Sequence, residues 1–525
     1  MLSMIIPCVF SLSGCFFSKL VNNSQEIVVD LPTIKVVSSL RINLRGSTQK
    51  TLYPSLSNNS VKNPEFTYVS SNNDVATVSE DGVVKALKVG ESIITITLKA
   101  NTKVKTTVKV SVVDKEIDHY DYTIMLYMCG SDLEYDAEAK PEEQYPFFTE
   151  DIKEILSVPN IPDTVKIIIE TGGTTKWSMP ITYLEGATKI SSTNLQRWEV
   201  NNETNKLKLI ETLPTNYMAD ENSFSEFLSW GLDDYEAEQM GVIMSGHGGG
   251  IAGCVYDDNY RVKVGNSYWQ HTLRTFEVAN AAKKALANSP KEKFTWIGYD
   301  CCVMASADIA TVNSDYFEYM VASQENEEAI GWNHDIYLKK LYDDPKMSAE
   351  TFLPEICKAF MMDKHRDDEP ANETCFQTLS VLKLSYAQDL VDKFNLFSKG
   401  LGTNIASYKI AEAAFQRSFN NFGDSIYGLC DFNDFIDQFE GFTNVREDVI
   451  KAVNALVIAN EYCDRYKTAY SEFTPCGVNA FFPKSLDDKY ILQVGKEDYS
   501  NSLSTKFNYW QNMCVTYGKF GWDSI

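Results

Sequence analysis

The sequence predicts a small all-β sandwich followed by a larger α/β unit with a parallel-rich sheet, and a helical extension that returns to that sheet. Three observations lead there. Between 27 and 113, Val and Ile mix with Thr, Ser and Lys in short runs broken by Gly, Asn, Asp and Pro, as in half-buried strands joined by tight turns. From about 120 onward, continuous apolar runs alternate with amphipathic segments, the strand–helix–strand order of crossover-connected parallel sheets. The chain of 525 residues is also too long for one small core.

In the first unit, 27–114, Ser92-Ile93-Ile94-Thr95-Ile96-Thr97-Leu98 and Val104-Lys105-Thr106-Thr107-Val108-Lys109-Val110 read as strands. Asp81-Gly82 is a hairpin signal between Val78 and Val83. The run Tyr68-Val69-Ser70-Ser71-Asn72-Asn73-Asp74-Val75-Ala76-Thr77-Val78-Ser79, with Gly82-Val83-Val84-Lys85-Ala86-Leu87-Lys88-Val89-Gly90, resembles the bacterial immunoglobulin-like domain, group 2. That resemblance implies a spacer or presenting module, with adhesion as the lesser alternative, and no residue in it suggests chemistry.

Ahead of this unit, 4–15 is a short apolar run ending Leu12-Ser13-Gly14-Cys15, far below the length of a membrane span. It resembles a bacterial lipoprotein signal, although no Lys or Arg precedes it. The resemblance implies a signal at 1–15, lipidation of Cys15, a tether at 16–26, and an exported chain at the cell surface or in the periplasm. Membrane contact would then run only through the lipid. A plain secretory signal or a hydrophobic strand is the bland alternative.

Lys and Arg number 48 against 72 Asp and Glu, a net charge of −24. That balance argues against nucleic acid and against docking on an anionic membrane surface. The twelve cysteines are scattered, with no CxxC and no zinc-finger spacing, so neither a disulfide scaffold nor a structural zinc site is expected. Of the five histidines, His119, His271, His334 and His365 sit in mixed polar surroundings where a surface or satisfied core role is the default.

The α/β unit opens after a charged linker at 114–121. Strands are expected at 122–128, at 164–170 before Gly172-Gly173, at 240–244 and at 294–298. Helices are expected at 151–157, at 223–231 with Ser223 as N-cap, and at 272–286. Active sites of such sheets lie beyond the carboxyl ends of the strands. There the third strand presents Ser245-Gly246-His247-Gly248-Gly249-Gly250 and the fourth Asp300-Cys301-Cys302. The glycines free the backbone for close approach, and the run lacks the Gly-Lys-Ser/Thr ending of a phosphate loop. One of the two cysteines is expected to be a small buried hydrophobe. The other precedes a helix expected to begin near Met304, whose N-terminus would favour a thiolate.

These segments resemble the clostripain family of cysteine peptidases, relatives of caspases, gingipains and legumains. The family motif (Asp, a small residue, the nucleophile Cys, an apolar residue, Met) falls on Asp300-Cys301-Cys302-Val303-Met304, and its histidine falls on His247. Further matching stretches include Tyr127-Met128, Asp132-Leu133-Glu134, Thr171-Gly172-Gly173, Trp177, Gly331-Trp332, Tyr427-Gly428-Leu429-Cys430-Asp431-Phe432 and Gly477-Val478-Asn479-Ala480-Phe481-Phe482-Pro483.

The resemblance implies a caspase-like catalytic domain at 120–345 and a C-terminal region at 346–525. It implies Cys302 as nucleophile, His247 as base, and the N–H groups of Gly248 and Cys302 as oxyanion donors, with peptides or proteins as substrates. No third acidic residue is evident in sequence, and a Cys–His dyad does not require one. The chemistry asks for no cofactor, though the family's calcium dependence makes Asp257 and Asp258 weak candidate ligands without any EF-hand pattern. It further implies cleavage after Arg or Lys, with Asp300, Ser323 and Glu325 at the substrate. Ile330 and Gln324 stand where further acids are expected, a gap that Glu325, Glu327 or Glu328 would have to fill. Arg261 and Lys263 are candidate self-cleavage positions. The rival reading is an inactive caspase-like fold that presents a peptide-binding or adhesive groove.

Beyond 345, helices are expected at 349–362, 382–397, 405–419 and 449–466, with a shorter piece at 431–439. A strand at 477–482, stopped by Pro483, is expected to rejoin the sheet. The aromatics Phe507, Tyr509, Trp510, Tyr517, Phe520 and Trp522 read as packed core.

Overall fold

A computed structural model describes residues 32–45, 48–57, 61–114, 119–215, 217–264, 267–362, 376–425, 428–470, 472–483 and 506–518. Cys15 and the expected signal and tether lie outside them, as do His365, Phe520 and Trp522.

The N-terminal unit is a sandwich of two sheets. One is four-stranded, in the order Ser39–Asn43, Lys105–Val113, Gly90–Leu98, Phe66–Ser70; the other is three-stranded, in the order Gln49–Thr51, Val83–Ala86, Ala76–Val78. Alternation along Gly90–Leu98 sends Ile94, Ile96 and Leu98 inward to meet Val108, Val110 and Ile42. The expected hairpin is present: Val78 pairs with Val84, and Gly82 takes φ +80°, a conformation glycine adopts without strain.

The second unit is built on one ten-stranded sheet. In chain order its strands are β1 (Tyr120–Cys129), β2 (Val165–Gly172), β3 (Leu184–Glu185), β4 (Gln196–Asn201), β5 (Lys206–Thr212), β6 (Ala237–Ser245), β7 (Phe294–Asp300), β8 (Phe317–Ala322), β9 (Thr378–Lys383) and β10 (Val457–Tyr462). Their spatial order is β3-β5-β4-β2-β1-β6-β7-β8-β9-β10. The five central strands, β2, β1, β6, β7 and β8, run parallel, whereas β4, β9 and β10 pair antiparallel to their neighbours. The central strands are buried on both faces, which is why they read as unbroken apolar runs.

Several expected elements differ. The helix at 223–231 is longer, Glu221–Asp234, and its N-cap is Asp220, whose Oδ1 accepts from the N–H groups of Asn222 and Ser223. The stretch expected as a helix at 382–397 begins as the end of β9, and the helix is Ala387–Leu401. The helix expected at 449–466 is Thr443–Leu456 followed by β10, because the register of Val457 to Tyr462 pairs them with β9. The sheet is therefore rejoined by β9 and β10. The short strand Asn479–Phe481 pairs with Leu429–Asp431 in a separate two-stranded ribbon. Phe507 and Trp510 are buried against Phe394, whereas Tyr509 is partly exposed.

The two units are in contact. Lys50, only 3 % exposed, pairs with Asp233, and Arg41 pairs with Asp234, both on the helix Glu221–Asp234. The Ser38 and Ser39 N–H groups and Ser38 Oγ donate to Glu226 of the same helix, and the Thr51 N–H donates to Asn288 Oδ1 at 2.9 Å. The sandwich is seated against the larger unit, a closer association than a spacer requires.

Candidate active site

β6 and β7 are neighbours, with Ser245 opposite Asp300, so their carboxyl ends deliver His247 and Cys302 to one rim. Both line a cavity of about 160 Å³ with Leu133, Phe148, Asp151, Gly246, Asp300, Cys301, Glu327, Glu328, Ala329 and Gly331.

Cys302 is partly buried, and its neighbour Cys301 is fully buried, with its Sγ directed at the Met244 carbonyl at 3.2 Å. The turn after them is tightly held. Val303 takes φ +54°, unfavourable for a β-branched residue, and is fixed by its N–H bond to the Glu325 carbonyl at 2.9 Å; Ala305 N–H bonds to the Ser323 carbonyl at 2.8 Å. The following helix is Ala307–Asn313, so the expected helix start near Met304 is absent and supplies no dipole to the thiol. Burial instead pushes the Cys302 thiol up to about 11, against hydrogen bonds from the backbone N–H groups of Glu327, Cys302 and Gly248. The Glu327 N–H lies 3.4 Å from Sγ. Position 248 admits only glycine, since a Cβ there would sit 2.1 Å from the Cys302 carbonyl oxygen.

The sequence did not reveal the partner of the histidine. His247 Nε2 lies 2.6 Å from Asp132 Oδ1, and both side chains are about one-third exposed. Burial works against both charges, but the hydrogen bond and mutual attraction win, leaving His247 above and Asp132 below its ordinary value. The legible signal was position: Asp132 follows the end of β1, the strand beside β6, and Met128 pairs with Ser245.

The far side of the cavity is acidic. Asp300 is buried, and its carboxylate lies against Gly331, where φ is +61° and a Cβ would meet Oδ2 at 3.0 Å. Behind it, donor atoms of Asp151, Asp300 and His334 lie within 4.8 Å of one another. Glu327 enters from the opposite loop, with Oε2 accepting from Trp332 Nε1 at 3.2 Å.

Other sequence candidates are placed elsewhere. Ser323 and Glu325 do not line the cavity. Ser323 Oγ bonds to the Glu325 carbonyl and Thr378, while the Glu325 carboxylate accepts from the N–H groups of Asn326 and Gly423 and from Tyr466 OH. Gln324 is buried among Asp431, Asn479 and Gly477, in a polar tie to the C-terminal region. Ile330 is not a lining residue either.

The calcium candidates fit poorly. Asp257 Oδ2 accepts from the Met218 and Ala219 N–H groups and Oδ1 from Asn259 N–H, a buried clamp on the loop, with burial pushing its carboxyl up to about 6. Asp258 accepts from Gln270 and Arg261. Calcium wants six to eight oxygens, and the Asp151–Asp300–His334 group offers a histidine nitrogen among its three donors. Arg261 is exposed on the strand Cys254–Val264, which also contains Lys263 and pairs with Ser267–Leu273.

The Clostripain family model matches residues 126–524. The chain belongs to the clostripain family. A second model, the bacterial Ig-like domain (group 2), matches residues 34–109. Among solved structures, this clostripain-family chain is similar to a secreted C11 cysteine protease from Bacteroides thetaiotaomicron, at 14 % identity and a TM-score of 0.51, covering 76 % of this chain and 100 % of that one. The same Bacteroides protease with an irreversible peptide inhibitor gives 14 % and 0.51, with 77 % and 100 % covered. At that identity the likeness speaks for the fold: a large mixed sheet with flanking helices of the caspase-like kind. No curated protein sequence matches. By family, the chain is a cysteine protease.

Proposed function

We propose that this cysteine protease is an endopeptidase in which Cys302 is the nucleophile and His247 the base, cleaving after Arg or Lys. The observation that carries this is the meeting of Cys302, His247 and the buried Asp300 around one cavity. A scissile carbonyl set against Cys302 places the preceding side chain toward Asp300, where a guanidinium or ammonium finds the charge its burial requires.

In the resting site the thiol holds its proton. With Nε2 engaged by Asp132, His247 Nδ1 accepts that proton as the thiolate sulfur attacks the carbonyl carbon. The oxyanion forms beside the N–H groups of Gly248 and Cys302, which both favour negative charge at this position. The tetrahedral intermediate collapses, the C–N bond breaks, and His247 passes the proton to the departing amine. Water, deprotonated by His247, then hydrolyses the thioester. Asp132 steadies the imidazolium in both halves. Each step uses the chain's own groups, and none is routed through calcium.

The reading extends to export and to self-cleavage. Export with acylation at Cys15 is supported by the Leu12-Ser13-Gly14-Cys15 box and by the secreted character of the Bacteroides relative. Self-cleavage after Arg261 is supported by its exposure on a hairpin flank. A denaturing gel on which active wild type stays a single band would remove it.

The deciding experiment is a peptide-library digest with wild type and Cys302→Ala. Wild type should cut after Arg and Lys, and the variant should not cut at all. Equal activity of the two would sink the nucleophile assignment, and cleavage without basic preference would sink the pocket.

A further inference from the structure

The family motif asks only for a small residue before the nucleophile, and this chain has a second thiol there, Cys301. We propose that Cys301 and Cys254 are a redox pair that closes to a disulfide, stapling the strand after His247 to the turn that carries Cys302.

The backbone brings the two together. The histidine loop packs against the cysteine turn so closely that a Cβ on Gly248 would lie 3.0 Å from Cys301 Cβ. Gly248 in turn forms a β-bridge with Cys254, and the Val255 N–H donates to the His247 carbonyl at 2.9 Å. Both cysteines are free and buried in the same apolar cluster, and their thiols are in side-chain hydrogen-bond contact. Cys129 also lies near Cys254, but its Sγ is turned to the Tyr256 carbonyl at 3.4 Å.

Peroxide is the class of oxidant that fits, because Cys301 lines the active-site cavity and a small molecule reaches it there. The Cys301 sulfur attacks one peroxide oxygen, the O–O bond breaks, and the thiol proton leaves with the departing hydroxide as water. The Cys254 sulfur then attacks the sulfenic sulfur. The S–S bond forms, the S–O bond breaks, and the Cys254 proton leaves with that hydroxide as a second water. Two thiols are oxidised and one peroxide is reduced to two waters. Burial holds the Cys301 thiol well above its ordinary value, so the reaction is slow beside that of an exposed thiolate. The same burial then shields the bond from thiol reductants.

Arg261 and Lys263 lie between the two cysteines in the sequence. Cleavage after either leaves His247 and Cys254 on one fragment and Cys301 and Cys302 on the other. The disulfide would keep base and nucleophile in one covalent molecule. This consequence, though not the bond itself, rests on the self-cleavage proposed above.

The test uses the full chain carrying Cys302→Ala, which cannot cut itself through that thiol, so the bond is read whether or not self-cleavage occurs. The reduced chain is treated with hydrogen peroxide, unfolded in iodoacetamide without reductant and digested for mass spectrometry. The expected product joins the peptides of Cys254 and Cys301 at two hydrogens below their summed mass. Alkylation at both positions should fall about tenfold or more and return with reductant. Cys254→Ala in the same background should give no cross-linked peptide at Cys301. Two cysteines that alkylate as fully after peroxide as before overturn the proposal, as does a bond from either to Cys129 or another cysteine. In wild type that has first cut itself and is then oxidised, the fragments should part on a denaturing gel only with reductant; fragments that part without it overturn the covalent tie.

Discussion

His247 Nε2 lies 2.6 Å from Asp132 Oδ1, and this contact turns a Cys–His pair into a three-residue arrangement. Asp132→Asn should separate its two effects. Without the carboxylate, the raised affinity of His247 for its proton disappears, so the acidic limb of the kcat/KM profile should move to lower pH. kcat should also fall about 10–100-fold, because the imidazole loses its orienting partner. The rate of Cys302 alkylation against pH should show the same displacement; an unmoved limb would mean that Asp132 does not act on the histidine. The same contact sets a stability window. The Asp132 part is lost as pH falls through its lowered folded value, and the His247 part is lost as pH rises through its raised one. Both side chains are too exposed for the contribution to be large.

Gly248→Ala tests the proposed oxyanion donors through shape. The added methyl would lie 2.1 Å from the Cys302 carbonyl oxygen and 2.8 Å from its nitrogen, backbone atoms that cannot swing aside. Either the Gly248 loop or the cysteine turn must move, and the two N–H groups then no longer converge. We expect kcat to fall by about 10²–10³ with KM changed far less, as for the loss of one oxyanion donor. Steady-state kinetics at fixed pH read this directly, and a variant within threefold of wild type would refute it.

Local pattern carried much of this into the sequence. Four of the five central strands, β1, β2, β6 and β7, were legible because burial on both faces leaves continuous apolar runs, whereas β8 was not, and His247 and Cys302 were legible because they follow two of those runs. What stayed hidden depends on contacts between distant segments. Asp132 is one of many acids until β1 is known to lie beside β6. Glu325 and Glu327 are two residues apart, yet one is turned to Gly423 and Tyr466 and the other to Trp332 and the cavity. The strand β10 was read as helix because its pairing partner β9 lies about eighty residues away, as Ser380 with Asn460 shows. Such pairings override local propensity.

Arg197 is the centre of a buried cluster with consequences for stability. It is 4 % exposed, bonds Glu170 at 2.8 Å, faces Glu226 at 3.9 Å and stacks on Trp230. Burial pushes both carboxyls up to about 7 against the pull of Arg197. Arg197→Met leaves two buried acids without a cation and should destabilise by about 3–5 kcal/mol. The sign with pH follows from the raised folded values. Folded Glu170 and Glu226 hold protons that the unfolded chain has released, so stability falls as pH rises from about 4.3 through 7. Without Arg197 both values rise further, and the destabilisation should be greater at pH 8 than at pH 5. Denaturant melts at the two pH values measure it; a penalty that is equal at both, or smaller at pH 8, would contradict this account.

Lys50 carries the last prediction, which concerns how the Ig-like unit is held. Its side chain is buried against Asp233, and burial raises that carboxyl despite the attraction of the lysine. Lys50→Glu replaces the attraction with two like charges in a largely buried place, while the neighbouring Arg41–Asp234 pair and the Ser38–Glu226 bonds remain. Breaking a buried pair costs about 3–5 kcal/mol, comparable to the whole stability of a modest interface. The Ig-like unit should therefore detach from the helix Glu221–Asp234 while both units stay folded. Small-angle scattering should show a larger radius of gyration, and calorimetry should show the two units melting separately. Lys50→Glu with Asp233→Lys restores opposite charges and should recover the compact form. If the single variant scatters like wild type, Lys50 is not what holds the units together.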